Sequence, residues 1–406
     1  MYSKERLESQ LSEIAQLISV KYTDHDDNLG VLAGISGAAL FQFYYSKYTG
    51  SEHNADIGAE IIAHCIEKIN AGFSHPSYCN GIAGMAWVIQ HLDKEGFIEL
   101  DSDHLLSQFD DFLFDKMRHD LGKGRFDFLH GGLGYAFYFF KRFKETQDLK
   151  LRKKYQSILV HCISEMERLA VIENNMAKWP SVLDPENNIY GYNLGAAHGV
   201  ANILNFFSRL HKFNEFGKLT RHTLELGVKY LRTVQNATSA DISLFPNAVV
   251  DNSSKQYKSR LAWCHGDLGI GISMMHVAEA LNNPSLMENS LFVLQQTTKR
   301  KNTRDTMVVD AGFCHGSYGN AHMYHVANYH KPCKLFEDSI NFWIGDGLNK
   351  AKHQDGYVGY KQLSGPDRNW TPSLSILEGI SGIGLVMIDL LSSERNTWDE
   401  CLMIGK

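Results

Sequence analysis

The stretch Cys264-His265-Gly266-Asp267-Leu268-Gly269 contains the pattern on which the fold depends: a glycine, two residues, a second glycine and then an apolar run. This pattern occurs seven times, with steps of 47, 50, 68, 67, 50 and 63 residues between successive first glycines. Recurrence at such steps is typical of a repeat architecture. We number the copies one to seven; they begin at Gly34, Gly81, Gly131, Gly199, Gly266, Gly316 and Gly379, and in the fourth Asn202 replaces the second glycine.

Each copy is followed by an apolar segment that predicts a buried helix, as in residues 38–45 and 270–278. Between copies lie amphipathic segments, in which residues such as Ile57, Ile61 and Cys65 share one helical face. Seven hairpins of this kind, closed into a ring with apolar helices inside, predict a single all-α domain over residues 1–406. The glycines are expected to begin the inner helices, where crowding at the hub excludes side chains.

The two longest steps hold extra material before copies four and five. Residues 187–193 and 247–254 are rich in Asn and Ser and predict loops. Long loops above a rigid scaffold are typical places for a substrate groove.

Composition and charge exclude several classes of protein. Of 406 residues 44% are apolar and the formal net charge is −6, so a nucleic-acid partner is disfavoured. Residues 1–8 have no apolar core of a signal peptide, and no run of 18 apolar residues predicts a membrane span. Seven sparse cysteines predict reduced thiols and a cytoplasmic protein.

Chemistry-bearing residues directly precede the glycines of copies three to six. Copies five and six begin Cys264-His265-Gly266 and Cys314-His315-Gly316, copy four has Ala197-His198-Gly199, and copy three has Asp127 and His130 before Gly131. Equivalent positions of a ring lie at the same end, so these side chains are expected to converge near its axis. Thiolates and imidazole suit Zn²⁺, although a lone cysteine is often only a small buried hydrophobe.

The two Cys-His pairs leave two kinds of metal site open. If both histidines bind together with both cysteines, the site is closed and structural. If His265 points away, three ligands leave the fourth position free for catalysis. Spacing alone does not decide between them.

The motifs Trp263-Cys264-x-Gly266, Cys314-His315-Gly316 and Ala197-His198-Gly199, in this order, resemble the lanthionine synthetase C-like family of lanthipeptide cyclases. The resemblance extends over residues 34–382 and implies an α/α toroid of seven helical hairpins with one zinc ion near the axis. The residues that it implies are Cys264, Cys314 and His315 as zinc ligands and His198, Asp127 and Arg260 as active-site residues. The sequence departs from the family's cyclases at His265, where they have Tyr, and at His130, where they have Glu.

The reaction implied by the resemblance is addition of a peptide cysteine thiol to dehydroalanine or dehydrobutyrine, giving a (methyl)lanthionine thioether. His198 is the expected proton carrier, and Asp127 would orient an imidazole. Arg260 would stabilise the enolate oxygen or pair with Asp127. For His265 we predict a second proton carrier beside an open metal site.

Other functions compete with the cyclase. A zinc-containing peptide-binding scaffold without turnover, and an enzyme that adds glutathione to dehydrated proteins, fit the same residues. Helical toroids also include glycoside hydrolases and terpene cyclases. The former need paired carboxylates across a groove, which are not evident, and neither class needs a zinc ion bound by thiolates. The cyclase interpretation implies as partners a dehydrated precursor peptide with a leader, a dehydratase and an exporter, in a complex at the membrane into which this chain itself does not insert.

Overall fold

The computed structural model describes residues 3–184, 186–236, 243–250, 258–364 and 369–405. It is predominantly helical, and the predicted ring of hairpins is confirmed. In chain order the helices are α1 (Lys4–Lys21), α2 (Ser36–Thr49), α3 (Glu52–Asn70), α4 (Ile82–Lys94), α5 (Ser102–Gly122), α6 (Gly132–Glu145), α7 (Leu149–Leu169), α8 (Val200–His211), α9 (Asn214–Val234), α10 (Asp267–Ala280), α11 (Pro284–Thr297), α12 (Thr303–Thr306), α13 (Ser317–His330), α14 (Lys334–Lys350) and α15 (Ile380–Leu391).

Seven helices form the inner ring, one after each glycine pattern. Helices α2, α4, α6, α8, α10, α13 and α15 each contact the next, and α15 contacts α2 to close the ring. Helices α3, α5, α7, α9, α11 and α14 pack outside their preceding inner helices. The seventh hairpin joins both ends of the chain, because the helix that packs outside α15 is α1.

Burial follows the sequence pattern on which the prediction was based. Inner helix α15 is buried along nearly its whole length. Outer helix α3 buries only one face, which includes Ile57, Ile61, Ile62 and Cys65. The apolar and the amphipathic segments therefore specify the two rings through the hydrophobic effect.

The second glycine of each pattern is required by crowding within its own repeat. A Cβ on Gly319 would lie 1.7 Å from the carbonyl oxygen of Phe313, six residues earlier, and one on Gly84 would lie 1.9 Å from that of Tyr78. In copy four, the side-chain amide of Asn202 instead donates a hydrogen bond to the equivalent carbonyl of Ala196, at 2.7 Å. The second glycines are thus crowded by the preceding turn of their own repeat, and not by the other helices at the hub as predicted.

Short strands occupy the insertions between repeats. They are β1 (Val171–Glu173), β2 (Met176–Lys178), β3 (Ser181–Asp184), β4 (Ile189–Asn193), β5 (Ala248–Val249), β6 (Gln362–Ser364) and β7 (Asn369–Thr371). Antiparallel pairing joins β1 to β2, β3 to β4, β4 to β5, and β6 to β7. The prediction of a loop over residues 187–193 was wrong, because most of this segment is β4, which pairs with β3 on one side and with β5 on the other. The other predicted loop, residues 247–254, contains β5 in its first half, and residues 251–254 are outside the described residues.

The C-terminal segment is buried among the inner helices. It begins with a 3₁₀-helix, Trp398–Leu402, and continues to residue 405. Arg209 donates to the carbonyl of Gly405 at 2.6 Å, and Lys141 pairs with Glu400 at 2.6 Å. In the part of the chain that the structure describes, no helix is both long and apolar enough to cross a membrane.

Candidate metal centre and active site

Residues two positions before the first glycines form a belt around the axis. The backbone N–H of Cys264 donates to the carbonyl of Cys314 at 3.4 Å, and that of Cys314 donates to Leu377 at 2.6 Å. Leu377 in turn donates to Leu32, at 3.0 Å. Neighbouring copies therefore place equivalent residues side by side, which is the reason that the two cysteines meet although 50 residues separate them. The belt positions are Leu32, Cys79, Leu129, Ala197, Cys264, Cys314 and Leu377.

The residues immediately before the first glycines lie beside this belt and are more accessible. Copies three to seven place His130, His198, His265, His315 and Glu378 there, and all five are half-buried or exposed. The belt cysteines Cys79, Cys264 and Cys314, by contrast, are only 3%, 5% and 8% exposed. Buried sulfur and accessible imidazole are thus arranged at one end of the toroid.

Three of the predicted residues are brought together as a potential ligand set. One ligand atom from each of Cys264, Cys314 and His315 lies within 4.8 Å of the others. Hydrogen bonding from the Cys314 thiol holds the pKa of Cys264 well below that of an ordinary thiol, against the effect of burial. Two sulfurs and one imidazole are a donor set that suits Zn²⁺, so these residues fit the predicted metal.

A carboxylate that we did not predict supports His315. The Nε2 atom of His315 lies 3.4 Å from Oδ2 of Asp310, which is only 3% exposed. Burial would lower the pKa of His315, but its hydrogen bonds to Asp310 and Cys264 outweigh burial and raise it to about 10. A carboxylate on one ring nitrogen fixes the orientation of a ligand histidine. Asp310 precedes Gly316 by six residues, as Arg260 precedes Gly266, and this shared offset is the signal that could have identified it.

Asp127 joins copy three to copy four. Its Oδ1 accepts the backbone N–H of His130 at 2.7 Å, and its Oδ2 is hydrogen-bonded to Nδ1 of His198. Burial alone would lower the pKa of His198, but this bond raises it, and the same bond lowers the pKa of Asp127 against the effect of burial. His198 is therefore held in one orientation, with Nε2 as its other ring nitrogen.

His265 lies next to His198 and outside the three-residue ligand set. The two ring centroids are 5.8 Å apart. Its Nδ1 is buried and has no hydrogen-bond partner among the described residues. Burial lowers its pKa, and the positive charges of His198 and Arg260 contribute to the same effect.

Gly266 directly follows His265 and has a backbone conformation that other residues rarely adopt. Its φ is +83°, whereas the first glycines of the other copies that begin helices have negative φ. A Cβ at Gly266 would lie 2.0 Å from the carbonyl of Arg260. A glycine is therefore required at the turn that positions His265.

Arg260 is half-buried at the same end of the toroid. The ion pair with Asp127 that we considered does not occur among the described residues, since the Asp127 oxygens contact His198 and the His130 backbone. The positive charge of Arg260 acts on Glu378: burial raises the pKa of Glu378, and Arg260 partly opposes this rise.

The fold and this cluster define a helical toroid with two cysteines and a histidine gathered at one end of its axis. The family model of lanthionine synthetase C-like protein matches residues 25–403. The chain therefore belongs to the lanthionine synthetase C-like family.

A solved structure gives the same architecture. Nisin cyclase superposes with a TM-score of 0.78 at 16% sequence identity, covering 98% of this chain and 97% of that chain. A sugar epimerase from a ruminal bacterium gives a TM-score of only 0.45 at 10% identity, over 95% of this chain and 99% of that chain. The likeness to nisin cyclase establishes the α/α toroid.

Proposed function

We propose that the protein is a zinc-dependent lanthipeptide cyclase, which adds cysteine thiols of a peptide to dehydroalanine or dehydrobutyrine in the same peptide. The observation that carries this proposal is the gathering of Cys264, Cys314 and His315 at one end of the axis. The Asp127–His198 pair lies at the same end, where the charge of Cys264 reaches His198. Family membership and the toroid support the same conclusion.

Cys264, Cys314 and His315 would hold the zinc ion, and Asp310 would orient His315. When bound, Zn²⁺ supplies a Lewis acid that lowers the pKa of a cysteine thiol, which is about 8.5 in water. Because His265 lies outside the ligand set, we propose that one coordination position is open to the substrate.

His198 is the proposed proton carrier. The sulfur bonds to the β-carbon while the π bond of the alkene is converted to an enolate, and a proton is then added at the α-carbon. The thiol thus loses one proton and the α-carbon gains one. Asp127 holds Nδ1 of His198, so Nε2 is the atom that delivers the proton. The raised pKa of His198 supports this role, because a larger fraction is protonated near neutral pH.

Arg260 and His265 are assigned supporting roles. Arg260 places a positive charge near Glu378 and His265, where it would stabilise the enolate oxygen. His265, with a lowered pKa, is a neutral imidazole near neutral pH and would accept the thiol proton.

The substrate of this reaction is a precursor peptide whose Ser and Thr residues have already been dehydrated. A dehydratase must therefore act first, and an exporter would remove the cyclised product. We also propose that the precursor carries a leader segment and that the reaction takes place in the cytoplasm.

The test is incubation with a dehydrated, cysteine-containing peptide, with and without a chelator. We expect loss of free thiol at unchanged peptide mass, abolished by the chelator and in the Cys314→Ala variant. A mass gain of one glutathione in the presence of that thiol would assign the protein to glutathione addition. Zinc binding without any loss of thiol would identify a peptide-binding scaffold.

A further inference from the structure

Exposed apolar side chains are concentrated in the insertion before copy four. Thirteen large apolar residues are exposed among those described, and five of them lie within residues 170–193. Scattered exposed apolar residues are ordinary, but a local concentration marks an interaction surface. The five are Val171, Ile172, Val182, Ile189 and Tyr190.

Two of these residues form a cross-strand pair. Val182 of β3 faces Tyr190 of β4, and they are 57% and 61% exposed. The hairpin that carries them is anchored to the toroid at its base. Trp179 is 1% exposed and donates to the carbonyl of Met166 at 2.8 Å, and the ammonium group of Lys178 lies 4.3 Å from the Tyr192 ring centroid. The apolar pair is therefore exposed to solvent on a hairpin whose base is fixed to the toroid.

Strand β3 is also the edge of its sheet. Among the described strands the order is β3-β4-β5, so β3 has a paired neighbour on one side only. Within the described ranges, no backbone hydrogen bond joins residues 181–184 to a segment other than β4. An edge strand presents unpaired N–H and C=O groups to which an extended peptide can add as a further strand.

The sheet is continuous with the candidate active site. Strand β4 ends at Asn193, five residues before His198, and the Asn193 side chain accepts the backbone N–H of Gly195 at 2.9 Å. A Cβ on Gly195 would lie 2.2 Å from the carbonyl of Cys264. The segment that follows the hairpin thus packs directly against a proposed metal ligand.

A ring-forming substrate requires binding contacts beyond the metal centre. Its thiol and its alkene belong to one polypeptide, so the residues that flank them must lie outside the site where the bond forms. We propose that an extended apolar stretch of this peptide adds to β3 and contacts Val182 and Tyr190. The inference rests on the proposed function, because the occupant is the peptide substrate of the cyclase.

The test compares hairpin variants with a matched surface variant. The Val182→Ser/Tyr190→Ser double variant removes the apolar pair, and Leu149→Ser removes a 74%-exposed leucine on α7. The probe is a 20-residue peptide with one dehydroalanine, one cysteine and an N-terminal Val-Leu-Ile segment. We expect KM to rise about tenfold in the double variant, with kcat, zinc content and Tm unchanged, because the contact of two apolar side chains is lost. Leu149→Ser should leave KM unchanged.

A second peptide, N-methylated at alternate residues of the Val-Leu-Ile segment, tests strand addition. Its KM should be raised for the wild type and should change little further in the double variant. An unchanged KM in the double variant, or an equal rise in Leu149→Ser, would overturn the proposal.

Binding separates this inference from the proposed function. If no thiol is consumed by any variant, the cyclase proposal fails, and fluorescence anisotropy of the labelled probe peptide still tests the hairpin. Weaker binding by the double variant would then support the surface, whereas equal binding, or no binding by the wild type, would refute it. Concentration-dependent dimerisation abolished by the double variant would assign the surface to a second copy of the chain and would equally refute the proposal.

Discussion

Asp127 uses its two carboxylate oxygens for different purposes: Oδ1 accepts the backbone N–H of His130, and Oδ2 binds Nδ1 of His198. The first contact belongs to the repeat. At the same offset in copies two and seven, Ser77 accepts the N–H of Asn80 and Ser375 accepts that of Glu378, each at 3.2 Å. A serine at this position therefore forms the same hydrogen bond to the backbone of the turn, but it has no second oxygen for a histidine.

The Asp127→Ser variant should separate the two purposes. It keeps an oxygen for the turn and loses the carboxylate that orients His198, so we expect a nearly unchanged Tm and a kcat reduced by about 100-fold. Circular dichroism melting and a thiol-consumption assay measure the two effects. Wild-type kcat in this variant would show that Asp127 serves only the turn.

The pH dependence of kcat should depend on the same pair. The bond to Asp127 raises the pKa of His198 in spite of burial, so the protonated form persists to higher pH than for a free imidazole. The acid function is present below that pKa and is lost as the pH rises through it. In Asp127→Ser the loss should therefore shift to lower pH, measured at saturating peptide. Descending limbs at the same pH in both proteins would contradict the assignment of His198 as the acid.

Metal binding should distinguish cysteines that have equivalent positions in the repeat. Cys264, Cys314 and Cys79 all lie two residues before a first glycine, but the backbone of Cys79 is hydrogen-bonded to Leu129 and Ala33, which offer no metal ligand. We expect Cys264→Ala and Cys314→Ala to lose zinc and Cys79→Ala to keep one zinc per chain, measured by mass spectrometry of the metal. His265→Ala should also keep zinc. Loss of zinc in His265→Ala would indicate a closed, four-ligand site.

The carboxylate behind His315 should tune metal affinity. Asp310→Asn removes the negative charge near Nε2 of His315, and we expect zinc affinity to fall by about 10- to 100-fold. Competition with a chromogenic chelator measures this change. Asp305→Asn, at a half-buried position of α12 five residues before Asp310, is the control and should leave the affinity unchanged.

The buried C-terminal segment should make stability depend on pH. Both oxygens of Glu400 bind lysines at 2.6 Å, from Lys141 and Lys144, and these charges outweigh burial and hold the pKa of Glu400 well below its usual value. Its contribution is complete above the ordinary glutamate pKa of about 4.3 and is lost as the pH falls through the lowered pKa. Glu400→Gln leaves the buried Lys141 with only its longer contact to Glu145, at 3.6 Å, and should cost about 3 kcal/mol at pH 7.

Urea unfolding at pH 7 and at pH 4 measures this effect, and the difference between Glu400→Gln and the wild type should shrink at the lower pH. The matched control is Glu225→Gln, whose exposed pair with Arg221 should contribute less than about 0.5 kcal/mol. Equal free energies of unfolding in the Glu400 and Glu225 variants at pH 7 would contradict the role of the C-terminal segment.

The sequence by itself determined the ring of repeats and the residues offered to its axis. Glycine spacing and helical periodicity are local properties, so they predicted the inner and outer helices, and equal offsets from Gly266 and Gly316 predicted that Cys264 and Cys314 meet. The strand β4 was missed because its pairing partners β3 and β5 come from separate segments, and the composition of residues 187–193 is that of a loop.

Only the tertiary structure decided the contacts between distant segments. It joined Asp127 to His198 across 71 residues, and it closed the ring by packing α1 against α15. These contacts depend on the angle between neighbouring repeats and on the path of the turns, which residue spacing does not specify. The physical reason is that periodicity fixes which face of a helix is buried, whereas packing of the whole ring fixes which side chains face one another.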